Sequence, residues 1–165
     1  MIKKNVQDAI NKQINRELYS SYLYLSMSAY FESVNLSGFA HWMRAQADEE
    51  QKHAMKFYEC LVDRGGRVKL LEIETPPFNW KSSLDVFEQV YKHEQHVTSL
   101  INALVELSIA EKDNAIVNLL QWFVNEQVEE EASADKIVQK LKIIKEDSPA
   151  ILFLDKELGK RGSDK

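Results

Sequence analysis

Apolar residues recur at helical spacing through four long segments of this chain, and near the middle of each segment a carboxylate falls into step with them. The first segment spans about 4–33, with Ile10, Ile14 and Phe31 on one face and Glu17 and Tyr24 in the same register. A turn follows at about 35–38, where Ser37 is placed to cap the next helix. The second segment runs to Arg64 and stops at Gly65-Gly66, its stripe reading Phe39, Met43, Gln46, Glu50, His53, Phe57 and Leu61. The third begins at Ser83 and ends near 112–114, with Leu84, Phe87, Tyr91, Glu94, Ile101 and Val105 inward. The fourth continues to about Lys145 through Ile116, Leu119, Phe123, Gln127, Glu130, Ala134, Ile137 and Leu141. Ser148-Pro149 then opens a short fifth helix, about 149–159, with proline in its favoured first position.

Between the second and third segments lies an irregular stretch, 67–82, containing Pro76-Pro77. So long a connection without structure of its own needs a purpose inside a compact protein. A helix of about 28 residues is roughly 42 Å long, and about 16 extended residues reach roughly 53 Å. The stretch can therefore run the length of a bundle and start the third helix at the same end as the second. The chain reads as all-α: two antiparallel hairpins joined by one long crossover. This gives a four-helix bundle over about 4–145 and a short C-terminal helix, in one domain spanning 1–165.

Composition supports that reading and narrows the partners. Five glycines and three prolines supply few turns, so the elements must be long. A formal net charge of -5 argues against nucleic acid, which calls for a basic stripe, and suits cations. Cys60 is the one cysteine, so no internal disulfide forms, which fits a reducing cytosol. No stretch resembles a signal peptide, and no run approaches the roughly 18 apolar residues of a membrane span, so the expected location is cytoplasmic. The first helix is apolar nearly all round over 18–31, and the fifth carries Ile151, Leu152, Phe153, Leu154 and Leu158. Both call for an outer cover, and a homo-oligomer supplies it.

The interrupting residues carry the chemistry. Glu17, Glu50, His53, Glu94, Gln127 and Glu130 would meet at one height inside the bundle, where each unpaired charge costs several kcal/mol of desolvation, on the order of a whole domain's spare stability. A bound metal is the simplest compensation. Glu50-x-x-His53 sets a carboxylate and an imidazole one turn apart on one face, and an oxygen-rich set with a single imidazole favours iron or manganese. Taken singly, each such residue is ordinarily a solvated or locally paired side chain. The joint pattern over four helices is not.

The stretches NRELYSSYLYLSMSAYF, QADEEQKHAMKFYE, YKHEQ, QWFVNEQVEEEAS and SPAILFLDKEL resemble the non-haem ferritins, prokaryotic ones above all, over essentially the whole chain. The resemblance implies a ferritin-like bundle with a di-iron ferroxidase centre. In it Glu17 and His53 would hold one iron, Glu94 and Glu130 the other, and Glu50 would bridge. Gln127 would lie beside the pair, and Tyr24 would brace it. Glu49, Glu126 and Glu129 match a third iron site that shares Glu130. Two Fe(II) would be oxidised by O2 or peroxide, and the product stored as ferric oxyhydroxide inside a twenty-four-subunit shell. Haem is not expected, since the haem-ligating methionine of bacterioferritins falls at Gln51. In animal heavy chains, acidic residues early in the fourth helix line a threefold iron path; the matching positions here are Val117 and Leu120. Trp122 is read as a packing residue. The rival readings are a di-iron oxidase or peroxidase without mineral storage, and a DNA-protecting mini-ferritin, for which the terminal lysines are too few.

Overall fold

The computed structural model describes residues 2–162. Its helices are α1 (Lys4–Ser33), α2 (Ser37–Asp63), α3 (Ser83–Ala110), α4 (Asn114–Ile143) and α5 (Ala150–Leu158). The third and fourth end slightly earlier than their stripes suggest. Asn35 and Lys112, at φ 61° and 57°, turn the chain back between α1 and α2 and between α3 and α4. The result is two antiparallel hairpins. Gly65 ends α2 at φ 69°, a conformation glycine adopts without strain.

The crossover lies along α1, and its register can be read from side-chain bonds. Gln7 accepts from the Arg67 amide at 2.9 Å, Asn11 from the Lys69 amide at 2.7 Å, and Asn15 donates to the Glu72 carbonyl at 2.9 Å. Near the other end, Ser26 donates to the Pro77 carbonyl at 2.7 Å. Gln7, Asn11 and Asn15 are spaced one turn apart, so one polar row of α1 holds the backbone of the first part of the crossover, residues 67–72. The crossover runs the way α1 runs, which brings α3 in at the same end as α2.

Two apolar clusters fill the bundle. One holds Phe31, Phe39, Met43, Phe87 and Leu141, and reaches α5 through Ile151, Leu154 and Leu158. The other holds Ile10, Ile14, Phe57, Ile101, Ile116 and Phe123. On every long helix the carboxylate or amide of interest falls between the two, so the fold places one polar layer between two greasy ones.

Several local expectations are corrected. On α3 the buried stripe between Ser83 and Ser108 is Val86, Phe87, Val90, Glu94, Val97, Ile101 and Leu104, while Leu84, Tyr91 and Val105 flank it half-buried. On α4 Leu120 is fully buried and Leu119 flanks half-buried, so Leu120 packs the core. Ser37 does not cap α2. Leu36 occupies that position without a side-chain bond, and Asp155 of α5 accepts from the Gly38 and Phe39 amides at 2.8 and 3.0 Å. A Cβ on Gly38 would come within 1.7 Å of the Asp155 carbonyl oxygen, so glycine is what lets α5 sit there. Pro149 stands at the N-cap of α5, one residue before the first helical position.

Candidate metal centre

Glu17, Glu50 and Glu94 are 1%, 2% and 1% exposed, and His53, Gln127 and Glu130 are buried with them. The structure thus brings together all six residues that interrupt the stripes. Their ligand atoms form overlapping groups: Glu17, Glu50 and His53; Glu50, Glu94 and Glu130; and His53, Glu126 and Glu130, each with its donor atoms within 4.8 Å of one another. Glu50 belongs to the first two groups, and His53 and Glu130 tie in the last.

Neutral side chains hold this layer in place. Gln13 donates to Glu17 Oε1 at 2.8 Å. Gln46 donates to Glu50 at 3.1 Å and to Glu130 at 2.7 Å. Gln127 donates to Glu94 Oε2 at 3.1 Å, and the Tyr24 hydroxyl donates to Glu94 Oε1. His53 Nδ1 lies 3.3 Å from Glu50, and its ring meets Trp122 edge-on at 5.4 Å between centroids. His93, beside Glu94, packs its ring edge-on to Tyr24 and bonds Ser20 Oγ at 2.8 Å. Burial keeps it neutral and lowers its pKa to about 4.

The electrostatics favour a cation. Burial, and then the charge of Glu50, raises the Glu17 carboxyl well above 4.5; burial and then Glu94 do the same to Glu50. Burial raises Glu94 and Glu130 to about 7, with Glu94 adding to the shift at Glu130. Glu17 Oε2 is the one deeply buried side-chain oxygen or nitrogen without a hydrogen-bond partner among the described residues. A buried acceptor left unpaired is costly, and a divalent ion in contact with it and with its neighbours removes both that cost and the mutual repulsion. The donor set, carboxylate oxygens with one imidazole, fits iron.

The outer acidic residues behave differently. Glu126 approaches His53 Nε2 to 3.9 Å and joins its group. Glu49 is engaged by Arg161 at 2.6 Å, and Glu129 is exposed; neither enters such a group among the described residues. Gln13 and His93, which adjoin the layer, were not legible from the sequence, nor was Arg161 as the partner of Glu49. Gln13 had a signal, lying one turn before Glu17 on its face. Gln46, one turn before Glu50, was read as inward but not as a brace.

A family model described as the ferritin-like domain matches residues 7–144. The chain is 48% identical to the bacterial non-heme ferritin of Bacteroides fragilis over 98% of this chain and 100% of that one. It is 43% identical to that of Campylobacter jejuni over 94% and 93% of the two chains. Among solved structures it is similar to an open pore ferritin from the hyperthermophilic archaeon Archaeoglobus fulgidus, with a TM-score of 0.94 and 56% identity over 96% of each chain. Sequence and fold agree: the chain belongs to the ferritin family.

Proposed function

We propose that this chain stores iron and detoxifies it by oxidising Fe(II) at the buried centre. The observation that carries this is the place of Glu50, whose carboxylate belongs at once to the group with Glu17 and His53 and to the group with Glu94 and Glu130. That sharing suits two Fe(II) substrates held side by side, Glu17 and His53 on one and Glu94 and Glu130 on the other. Held together, the two ions each give one electron to the same acceptor, which avoids a three-body encounter. With O2 as acceptor, the two Fe(II) supply two electrons and solvent two protons, giving two Fe(III) and one hydrogen peroxide; with peroxide as acceptor, two electrons and two protons from solvent give two waters. The carboxylates favour Fe(III) over Fe(II) and so drive the oxidation. Tyr24 and Gln127 hold Glu94 in place while the charge changes, and Gln46 does the same for Glu50 and Glu130.

The cleft outside His53, lined by Glu126, Glu129 and Glu130, is the way out for product iron, with Glu49 at its edge as part of a third iron position. Copies of the chain form the shell that receives it. Tyr22 and Leu25 on α1, Phe78 on the crossover, and Leu152 and Phe153 on α5 stay exposed in the single chain and supply apolar contact surface. No helix among the described residues is long and apolar enough to cross a membrane.

Gel filtration after a large excess of Fe(II) is added in air tests the reading. Ferric iron that co-elutes with protein at the size of a closed shell is the expected result. A small oligomer carrying only a few irons per chain overturns storage and leaves a di-iron oxidase or peroxidase.

A further inference from the structure

Arg161 follows α5, yet its guanidinium is drawn back onto α2. One terminal nitrogen donates to the Trp42 carbonyl at 3.2 Å, and the other donates to Gln46 Oε1 at 2.8 Å and to Glu49 Oε2 at 2.6 Å. The guanidinium carbon sits 4.4 Å from the centroid of the Trp42 ring, and the Arg161 carbonyl is 2.8 Å from His41 Nε2. Ordering so flexible a side chain costs rotamer entropy, so these several partners mark a built position and not a chance surface contact.

The position matters because of what lies next to it. Arg161 forms one wall of a cleft of about 510 Å³ whose other lining includes His53, Glu126, Glu129 and Glu130. The carboxylates along this cleft gather outside the centre; Lys52 and Lys56 also line it, but among the described residues Glu49 is the one of these carboxylates in an ion pair with a lysine or arginine. The ligand group at the opening comprises His53, Glu126 and Glu130, and Glu49 is not part of it.

We propose that Arg161 is a tethered counter-charge that competes with a divalent cation for Glu49, and so keeps the outer metal position of the cleft weak. This rests on the reading of the buried layer as a metal centre. The pair is partly open to solvent, with side chains 23% and 44% exposed, so its bond is easily exchanged for water. A doubly charged ion entering between Glu49 and Glu126 displaces a singly charged guanidinium. Arg161 then retains its stacking on Trp42, close enough to return when the ion moves on. Gln46 loses one acceptor contact in the exchange but keeps its bonds to Glu50 and Glu130, so the inner layer is not disturbed. A weak outer position suits transit: an ion is accepted from the centre and released without being trapped.

The test is a Co²⁺ titration of the assembled metal-free protein, followed by calorimetry and visible absorption, with gel filtration of each variant as a check on assembly. The expected wild-type result is two tighter binding events per chain and a weaker outer one. Arg161→Gln tightens the outer event by about fivefold and leaves the inner two unchanged, and it has no further effect once Glu49→Gln is present. If no outer event is visible in the wild type, its appearance in Arg161→Gln gives the same support. An outer event unchanged, or absent, in Arg161→Gln overturns the proposal, as does the same tightening in the Glu49→Gln background. A wild-type protein that binds fewer than two ions per chain brings down the metal-centre reading itself and this inference with it.

Discussion

On α2, Gln46 donates its side-chain amide across the bundle to Glu130 of α4 at 2.7 Å, while the same nitrogen bonds Glu50 one turn along its own helix at 3.1 Å. One neutral donor therefore links the two outer members of the group that Glu94 completes. Without it, two carboxylates face each other in a buried site with no shared proton donor. Replacing Gln46 by Leu keeps the bulk and removes the link. We expect Zn²⁺ affinity at the centre to fall about tenfold, as for other groups that orient metal ligands. Calorimetric titration measures it, and an unchanged affinity would mean that the helices alone hold these carboxylates.

Glu17 illustrates a conflict between stability and chemistry. Its Oε2 is buried without a partner, and burial has raised its proton affinity. Glu17→Gln supplies a donor toward Glu50 and removes the ionisable group. The metal-free protein should become more stable by roughly 1 kcal/mol, the low end of the cost of an unsatisfied buried group. Rapid Fe(II) oxidation should be lost in the same variant. Scanning calorimetry of metal-free protein and stopped-flow absorbance give the two readouts. A destabilised variant would show that Glu17 is comfortable where it lies even without a metal.

Much of this was legible in the sequence. The helices follow from period and punctuation, and the crossover from a length argument that needed no contacts. Glu17, Glu50, His53, Glu94, Gln127 and Glu130 were legible because each breaks an apolar stripe at the same height. What was not legible depends on partners distant in sequence. Asp155 reaches back to the α2 N-terminus, and Arg161 reaches back to Glu49, across more than a hundred residues. Nothing local marks either. The α3 stripe slipped for a different reason: Val86, Val90, Val97 and Leu104 and their flanks Leu84, Tyr91 and Val105 are all apolar, so the pattern leaves the rotation of the helix loose.

The Asp155 bond to the Gly38 and Phe39 amides ties α5 to the start of α2. Asp155→Ala leaves two amide donors at a helix N-terminus without that partner, and a lost cap costs about 1 kcal/mol, up to about 2. The expected signature is local. Hydrogen exchange should speed up at residues 37–40 and through α5, while amides near Glu17 and Glu94 keep their protection. Uniform acceleration through the whole bundle would mean instead that α5 is part of one cooperative unit with it.

The pH dependence of the metal-free protein should run opposite to that of the loaded one. Glu94 and Glu130 hold their protons up to about 7 in the folded chain, chiefly through burial, against an ordinary value of 4.5. Between those values the folded protein binds protons that the unfolded chain has released. Their contribution to stability is therefore fully present below 4.5 and is lost as pH rises through about 7. Glu17 and Glu50, also raised, act in the same direction. A divalent ion takes the place of those protons, so binding tightens as pH rises and protons leave as the ion enters. Thermal midpoints of metal-free protein should fall from about pH 5 to about pH 7.5, whereas Zn²⁺-loaded protein should hold level or rise. Zn²⁺ added to weakly buffered protein near about pH 6 should release protons that a pH-stat can count. A metal-free midpoint that climbs over the same range, with no protons released, would mean that these carboxylates are already ionised in the empty bundle and that something other than protons balances their charge.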